Sequence, residues 1–202
     1  KRLERKNIEV IHGEIRSIDP EKRTVSVNNK SVAADALIIA LGVDYAPLKI
    51  PGLSEAGHNA YSLKGATDIR DALHSFKGGR IVFLTAAPAY KCPAAPYEAA
   101  MLVEYHCRRF GIRQNVQIEF FAAEPGPMGT AGPEVSKQVR QMVESKGIVY
   151  HPAHQITEVD PKAKMLKFAS GASAIFDLLI YVPPHQAPAA VAEAGLLAES
   201  GW

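Results

Sequence analysis

Cys92 carries the strongest chemical signal in the sequence. It sits in AAPAYKCPAAPYEAA (residues 86–100), a turn that follows the apolar run RIVFLT (80–85) and leads into a helix predicted to begin near Pro96. The thiolate is the nucleophilic form of cysteine, and a neighbouring cation and a helix N-terminus both stabilise it. Lys91 and the helix at Pro96 supply one of each. A strand-to-helix turn that binds a pyrophosphate carries glycines, as in G-x-G-x-x-G, which permit the tight bend and the close backbone approach. This turn has none, and Pro88, Pro93 and Pro96 stiffen it and withhold amide donors. The segment reads as a redox loop standing where a nucleotide loop would stand. An unpaired cysteine more often packs as a small buried hydrophobe. Cys107 fits that description, on the apolar side of the same helix with Ala100 and Val103 and ahead of a C-capping Gly111. A thiol held among three prolines has no such packing role.

Other constellations are weaker. Glu124 ends a second apolar run (116–122) and could bond a ribose, but the glycine cradle that should accompany it is missing. His151 and His154 fall in a predicted strand, where a spacing of three points side chains to opposite faces, against a shared metal. His106 and Cys107 are adjacent on a helix and diverge. Asp19 and Asp35 have turn and strand-entry roles, no Ser-His-Asp set can be assembled, and no metal site is expected.

The elements that position Cys92 emerge from an internal repeat. Residues 8–47 and 148–188 each show an apolar strand, a strand ending in Asp-Pro (Asp19-Pro20, Asp160-Pro161), a turn, a short strand, an aspartate (Asp35, Asp177) and a buried apolar strand. Asp-Pro marks a turn because proline presets one dihedral angle and aspartate bonds its own backbone. The closing runs, 36–40 and 178–182, are continuously apolar, as parallel strands covered on both faces require. Between the copies strand and helix alternate. A helix carrying Ile69, Leu73 and Phe76 precedes strand 80–85, the helix 96–110 precedes strand 116–122, and a helix from Pro133 carries Val135, Val139, Met142 and Val143 on one face. The order predicts a Rossmann-like three-layer α/β domain, with a parallel sheet and a β-meander.

With 202 residues, 47% hydrophobic and 22% charged, the chain can bury a substantial core. A net charge of +2 and scattered charges give no reason to expect nucleic acid, and the opening KRLERK reads as a solvated face. Two cysteines in unlike contexts do not make a disulfide scaffold. No run reaches the length of a membrane span, and no signal-peptide region is seen.

Three segments resemble a known family. DALIIALGVDYAPLKIPGL (35–53) is similar to the end of the first FAD-domain section of the two-domain flavoprotein oxidoreductases. KCPAAPYEAAML (91–102) resembles the cysteine-proline segment of their sulfide:quinone reductase and flavocytochrome c sulfide dehydrogenase branch, and FDLLIYVPPHQAP (176–188) the exit from their second domain. The resemblance covers essentially the whole chain and implies FAD and a redox cysteine pair. It places residues 1–48 in a partial FAD-domain segment, 49–188 in a second, NAD(P)-binding-like domain carrying Cys92, and 189–202 at the return to the FAD domain. By position it implies FAD contacts at the backbone of Ile15 and at Ala40, Leu41 and Gly42, with Pro183 and Pro184 as a rigid wall near the flavin. Cys92 would be the redox cysteine and Lys91 an electrostatic aid to it.

The family's glycine-rich FAD loop, later Gly-Asp motif and second redox cysteine are not found, so an internal piece of a larger flavoprotein is expected, one that by itself would neither retain FAD nor act. The implied donor is sulfide or a small sulfur compound and the acceptor a quinone or a cytochrome. A cytoplasmic or peripheral-membrane location follows, or a periplasmic one for a flavocytochrome, and a homodimer is compatible with the sequence. An NAD(P)H-dependent flavin reductase or quinone dehydrogenase, and a non-catalytic assembly domain, are the rival readings.

Overall fold

A computed structural model describes residues 4–202; the first three residues of the opening basic run lie outside the described part. The chain forms two compact units, one running up to Asp44 and including Gln186–Trp202, the other Tyr45–His185.

In the first unit, β1 (Ile15–Asp19), β2 (Thr24–Val27) and β3 (Lys30–Ala33) form the predicted antiparallel meander. The first turn is built as the Asp-Pro signal requires, with the Lys22 amide donating to Asp19 Oδ1 at 2.9 Å. Ile18 and Val27 are its buried residues. The strands expected on either side of the meander are not formed. Residues 8–12 and 36–40 enter no strand pairing among the described residues, and Ile38, at the centre of the run expected to be a buried strand, is 91% exposed. Apolar composition makes a strand only where a neighbour satisfies the backbone, and no described strand lies alongside residues 36–40.

The second unit begins at the boundary strand β4 (Asp44–Tyr45) and continues through α1 (Leu53–Ala56), β5 (His58–Asn59) and α2 (Leu63–Ser75). Next come β6 (Gly79–Thr85), α3 (Ala95–Arg109), β7 (Val116–Ala122), α4 (Pro133–Ser145) and β8 (Ile148–His151). A second meander, β9 (Ile156–Asp160), β10 (Met165–Phe168) and β11 (Ser173–Ile175), precedes β12 (Leu178–Val182). The central sheet has the order β5-β12-β6-β7-β8 and every pairing in it is parallel. β12 is thus inserted next to β6, held on both edges, which is why its five residues are all buried. The corresponding run of the first copy lacks both partners.

Strand alternation divides the core in two. Ile81, Phe83, Ile118, Phe120, Leu178 and Ile180 face the helices, in one cluster with Ala100, Val103, Cys107 and Val143. Val82, Leu84, Phe121, Leu179 and Tyr181 face the opposite way, in a second cluster with Ile156, Val159, Leu166 and Phe168 of the meander. Helices, parallel sheet and meander are therefore the three layers. On α4 only Val143 is buried, with Val139 partly so. Val135 and Met142, expected on the same apolar face, are 37% and 51% exposed.

Candidate functional site

The β6 strand ends at Thr85 in the middle of the sheet, and the chain leaves its carboxyl end through the proline-rich loop to α3. Ligands bind at this end of an open parallel sheet. The loop start is fixed by the Ala86 amide, which donates to the Val182 carbonyl at 3.0 Å, and by Gln155 Nε2, which donates to the Ala86 carbonyl at 3.0 Å. Its end is fixed by Tyr97, fully buried in the first turn of α3 and stacked on Phe120 at 4.8 Å. Between these anchors Cys92 is solvent-exposed, whereas Cys107 is completely buried and burial pushes its thiol pKa up. Cys92 is thus the more accessible of the two thiols, as expected.

Cys92 has a φ of 52°, in the left-handed region that few residues other than glycine adopt. Two donors hold its carbonyl there. The Ala95 amide donates to it at 3.0 Å, and the Tyr61 hydroxyl lies 3.0 Å from it and 2.9 Å from the Lys91 carbonyl. Burial, followed by the proximity of Cys92, raises the Tyr61 pKa, so the phenol stays protonated and donates. Tyr61 in turn meets the His185 ring at 5.6 Å and the Tyr45 ring at 6.3 Å, both edge-on. The Lys91 ammonium stands 5.1 Å from the centre of the Tyr45 ring, a cation–π position. Beside the loop, Tyr61, Leu63, Ala66, Lys91, Cys92 and Ala95 line a largely apolar groove of about 380 Å³.

His185 follows the buried pair Pro183 and Pro184 and is itself 8% exposed. Its Nδ1 lies 2.9 Å from the Pro183 carbonyl and carries the proton that this contact needs, leaving Nε2 as an acceptor with no partner among the described residues. Burial lowers its pKa, Lys91 adds to the effect, and the ring is neutral at neutral pH.

Glu124 has a different place from the one its position in sequence suggests. It is 8% exposed and collects three hydroxyl groups: Thr85 on Oε2 at 2.6 Å, and Tyr90 and Tyr97 on Oε1 at 2.5 and 2.6 Å. Burial and then the Glu124 charge raise both tyrosine pKa values. The carboxylate that could have held a ribose instead ties the loop to the ends of β6 and β7. His151 and His154 also differ from expectation. The strand ends at His151 and Ala153 turns with a φ of 55°, so the two rings sit 5.6 Å apart rather than on opposite faces. His151 Nε2 is bonded to Glu119 at 2.8 Å, and His154 Nδ1 to the Pro152 carbonyl at 2.7 Å.

The residues implied for FAD fall in both units. Ile15 opens β1 and is half-buried; Ala40 is exposed, Leu41 is 39% exposed, and Gly42 has a φ of 74° with open space where a side chain would stand. Pro183 and Pro184 belong to the second unit with Lys91 and Cys92. An unpartnered buried Nε2 next to the two prolines fits a bound group that offers a polar donor. Tyr61, Tyr45 and His185 were not legible as site residues. They lie 31 or more positions from Cys92 in sequence; Tyr45 and His185 fall in the segments that carry the family resemblance but were not singled out there, and Tyr61 falls in none of them.

Known proteins place this geometry in context. A sulfide-quinone reductase of Aquifex aeolicus is 27% identical over 199 residues, covering 94% of this chain and 45% of that protein. A mitochondrial sulfide:quinone oxidoreductase of Schizosaccharomyces pombe is 26% identical over 203 residues, covering 93% of this chain and 44% of that one. The chain thus spans less than half the length of these relatives. The crystal structure of the Aquifex aeolicus sulfide:quinone oxidoreductase shares the fold, with a TM-score of 0.78 at 23% identity over 96% of this chain and 46% of its own. The profile of the pyridine nucleotide-disulphide oxidoreductases matches residues 1–183, and the chain belongs to that family.

Proposed function

We propose that this chain is the cysteine-bearing part of an FAD-dependent oxidoreductase that oxidises sulfide or a related small sulfur donor and passes the electrons to a quinone or a cytochrome. The observation that carries the reading is the exposed thiol of Cys92, pinned at the carboxyl end of the central strand β6 in place of a phosphate-binding turn. FAD would be held at the Ile15 backbone, at Ala40, Leu41 and Gly42, and against Pro183 and Pro184. When bound, it supplies the two-electron acceptor for the sulfur chemistry.

The chain's own part is nucleophilic. In the full-length protein Cys92 Sγ is joined in a disulfide to a second cysteine outside this chain. Hydrosulfide attacks Cys92 Sγ, the S–S bond breaks, the second cysteine leaves as a thiolate, and Cys92 carries the new persulfide bond. Lys91, adjacent in sequence, provides positive charge near the anions of this exchange. The thiol-bearing residue borders an apolar groove with Ala66 and Ala95, open to a small donor. The use of Glu124 by three hydroxyls disfavours the nicotinamide-nucleotide reading. Among the described residues no helix is long and apolar enough to cross a membrane, and a peripheral association, with homodimer formation, belongs to the same proposal.

Replacing Cys92 by serine in the full-length protein tests it. Sulfide-dependent bleaching of the flavin absorbance should be abolished while the flavin stays bound. Bleaching at the wild-type rate would overturn the assignment.

A further inference from the structure

We propose that Tyr61 is a positioning residue that holds Cys92 in its reactive conformation, with Tyr45 and His185 as the rings that fix it. The inference rests on Cys92 being the redox cysteine but assigns a role to residues that this reading does not require.

Tyr61 is itself rigidly placed. The preceding Ala60 amide donates to the Tyr181 carbonyl of β12 at 2.9 Å, and the Tyr61 amide donates to Asn59 Oδ1 at 2.9 Å. Ser62 then caps α2 by accepting the Gly65 amide at 3.0 Å. Gly65 is needed there, since an added Cβ would stand 1.9 Å from the Asn59 carbonyl oxygen. Tyr61 therefore projects from a turn tied to the central sheet. Tyr45 is tied as well, because the following Ala46 amide donates to the Pro184 carbonyl at 2.8 Å. The rings of Tyr45 and His185 meet at 5.1 Å. Three aromatic side chains from three separate segments thus converge, and the Tyr61 hydroxyl shares its one proton between the Lys91 and Cys92 carbonyls.

A left-handed cysteine persists only while its surroundings hold it. Without the Tyr61 hydroxyl the Cys92 carbonyl keeps the Ala95 amide alone and the Lys91 carbonyl loses its bond, so the loop can relax to an extended form that displaces Sγ from its present place.

The test is Tyr61→Phe in the full-length protein, which keeps the ring contacts and removes only the hydroxyl. Alkylation of Cys92 by iodoacetamide is followed by peptide mass spectrometry across a pH series, with buried Cys107 as the internal reference. Cys92 should react about tenfold more slowly than in the parent at every pH of the series, while flavin content is unchanged. An unchanged or faster rate would overturn the proposal. If Tyr61→Phe does not fold, the same readings on Tyr45→Leu decide, again with slowing expected. Alkylation does not depend on sulfide turnover, so a failure here is distinct from a failure of the Cys92→Ser experiment.

Discussion

At the scale of single residues, the loop that carries Cys92 is governed by Glu124. A carboxylate has about four acceptor sites, and three of them here receive hydroxyl protons from β6, the loop and α3. Thr85 is doubly engaged, because its oxygen also accepts the Ala123 amide at 3.1 Å. Removing the carboxylate orphans three buried or half-buried donors at once, and each unsatisfied buried polar group costs about 1–3 kcal/mol. Glu124→Ala should therefore lower the unfolding free energy by at least about 2 kcal/mol in chemical denaturation, whereas Tyr97→Phe, which removes one donor and keeps the Phe120 stacking, should cost about 1 kcal/mol. A Glu124→Ala protein as stable as the parent would show that the hydroxyl cluster contributes nothing. The sequence did not disclose this hub. Tyr90 and Tyr97 flank the cysteine and looked like loop and helix residues, and their shared acceptor lies 27 or more positions away.

The elements were more legible than the contacts among them. β6, β7, β12 and the helices between them follow the apolar periodicity to within a residue or two, because each has the neighbours that a buried strand or amphipathic helix needs. Residues 36–40 carry the same apolar signature as β12 and form no strand, since composition reports a preference for burial and says nothing of which partner is present. The meanders were legible for a local reason. Asp160 Oδ1 accepts both the Lys162 and Ala163 amides at 2.9 Å, repeating what Asp19 does with Lys22. Those backbone bonds are the main reason that both carboxyl pKa values lie below the ordinary value. A carboxylate whose pKa is depressed on folding stabilises the fold above its unfolded pKa and loses that contribution as pH falls through the folded value. Asp160→Ala should accordingly reduce the melting temperature at neutral pH, and the difference from the parent should shrink once the pH falls well below about 4. A difference that stays constant from neutral pH to pH 2 would mean that the charge plays no part in the turn.

For the whole molecule, family membership and the parallel sheet raise one question of ligand choice, on which the architecture bears. The family description includes pyridine nucleotides, and the carboxyl end of β6 is where an open parallel sheet would receive one. A dinucleotide needs amide donors at a helix N-terminus, backbone that approaches closely, and an acidic side chain for the ribose. Here the first turn of α3 contains Pro96, which has no amide hydrogen, and residues 86–95 present Ala86, Ala87, Ala94 and Ala95 where glycines would be required. The acid at the end of β7 is buried and bonded internally, and the Tyr61 hydroxyl occupies the carbonyl side of the loop. Each of these features weakens one of the three requirements, and the loop presents an exposed thiol instead. Calorimetric titration of the full-length protein with NADH and with NADPH should therefore give no saturable heat at millimolar nucleotide, under conditions where sulfide bleaches the flavin. Tight saturable binding of either nucleotide, lost on mutation of the β6–α3 loop, would instead make this domain a nicotinamide site and return Cys92 to a structural role.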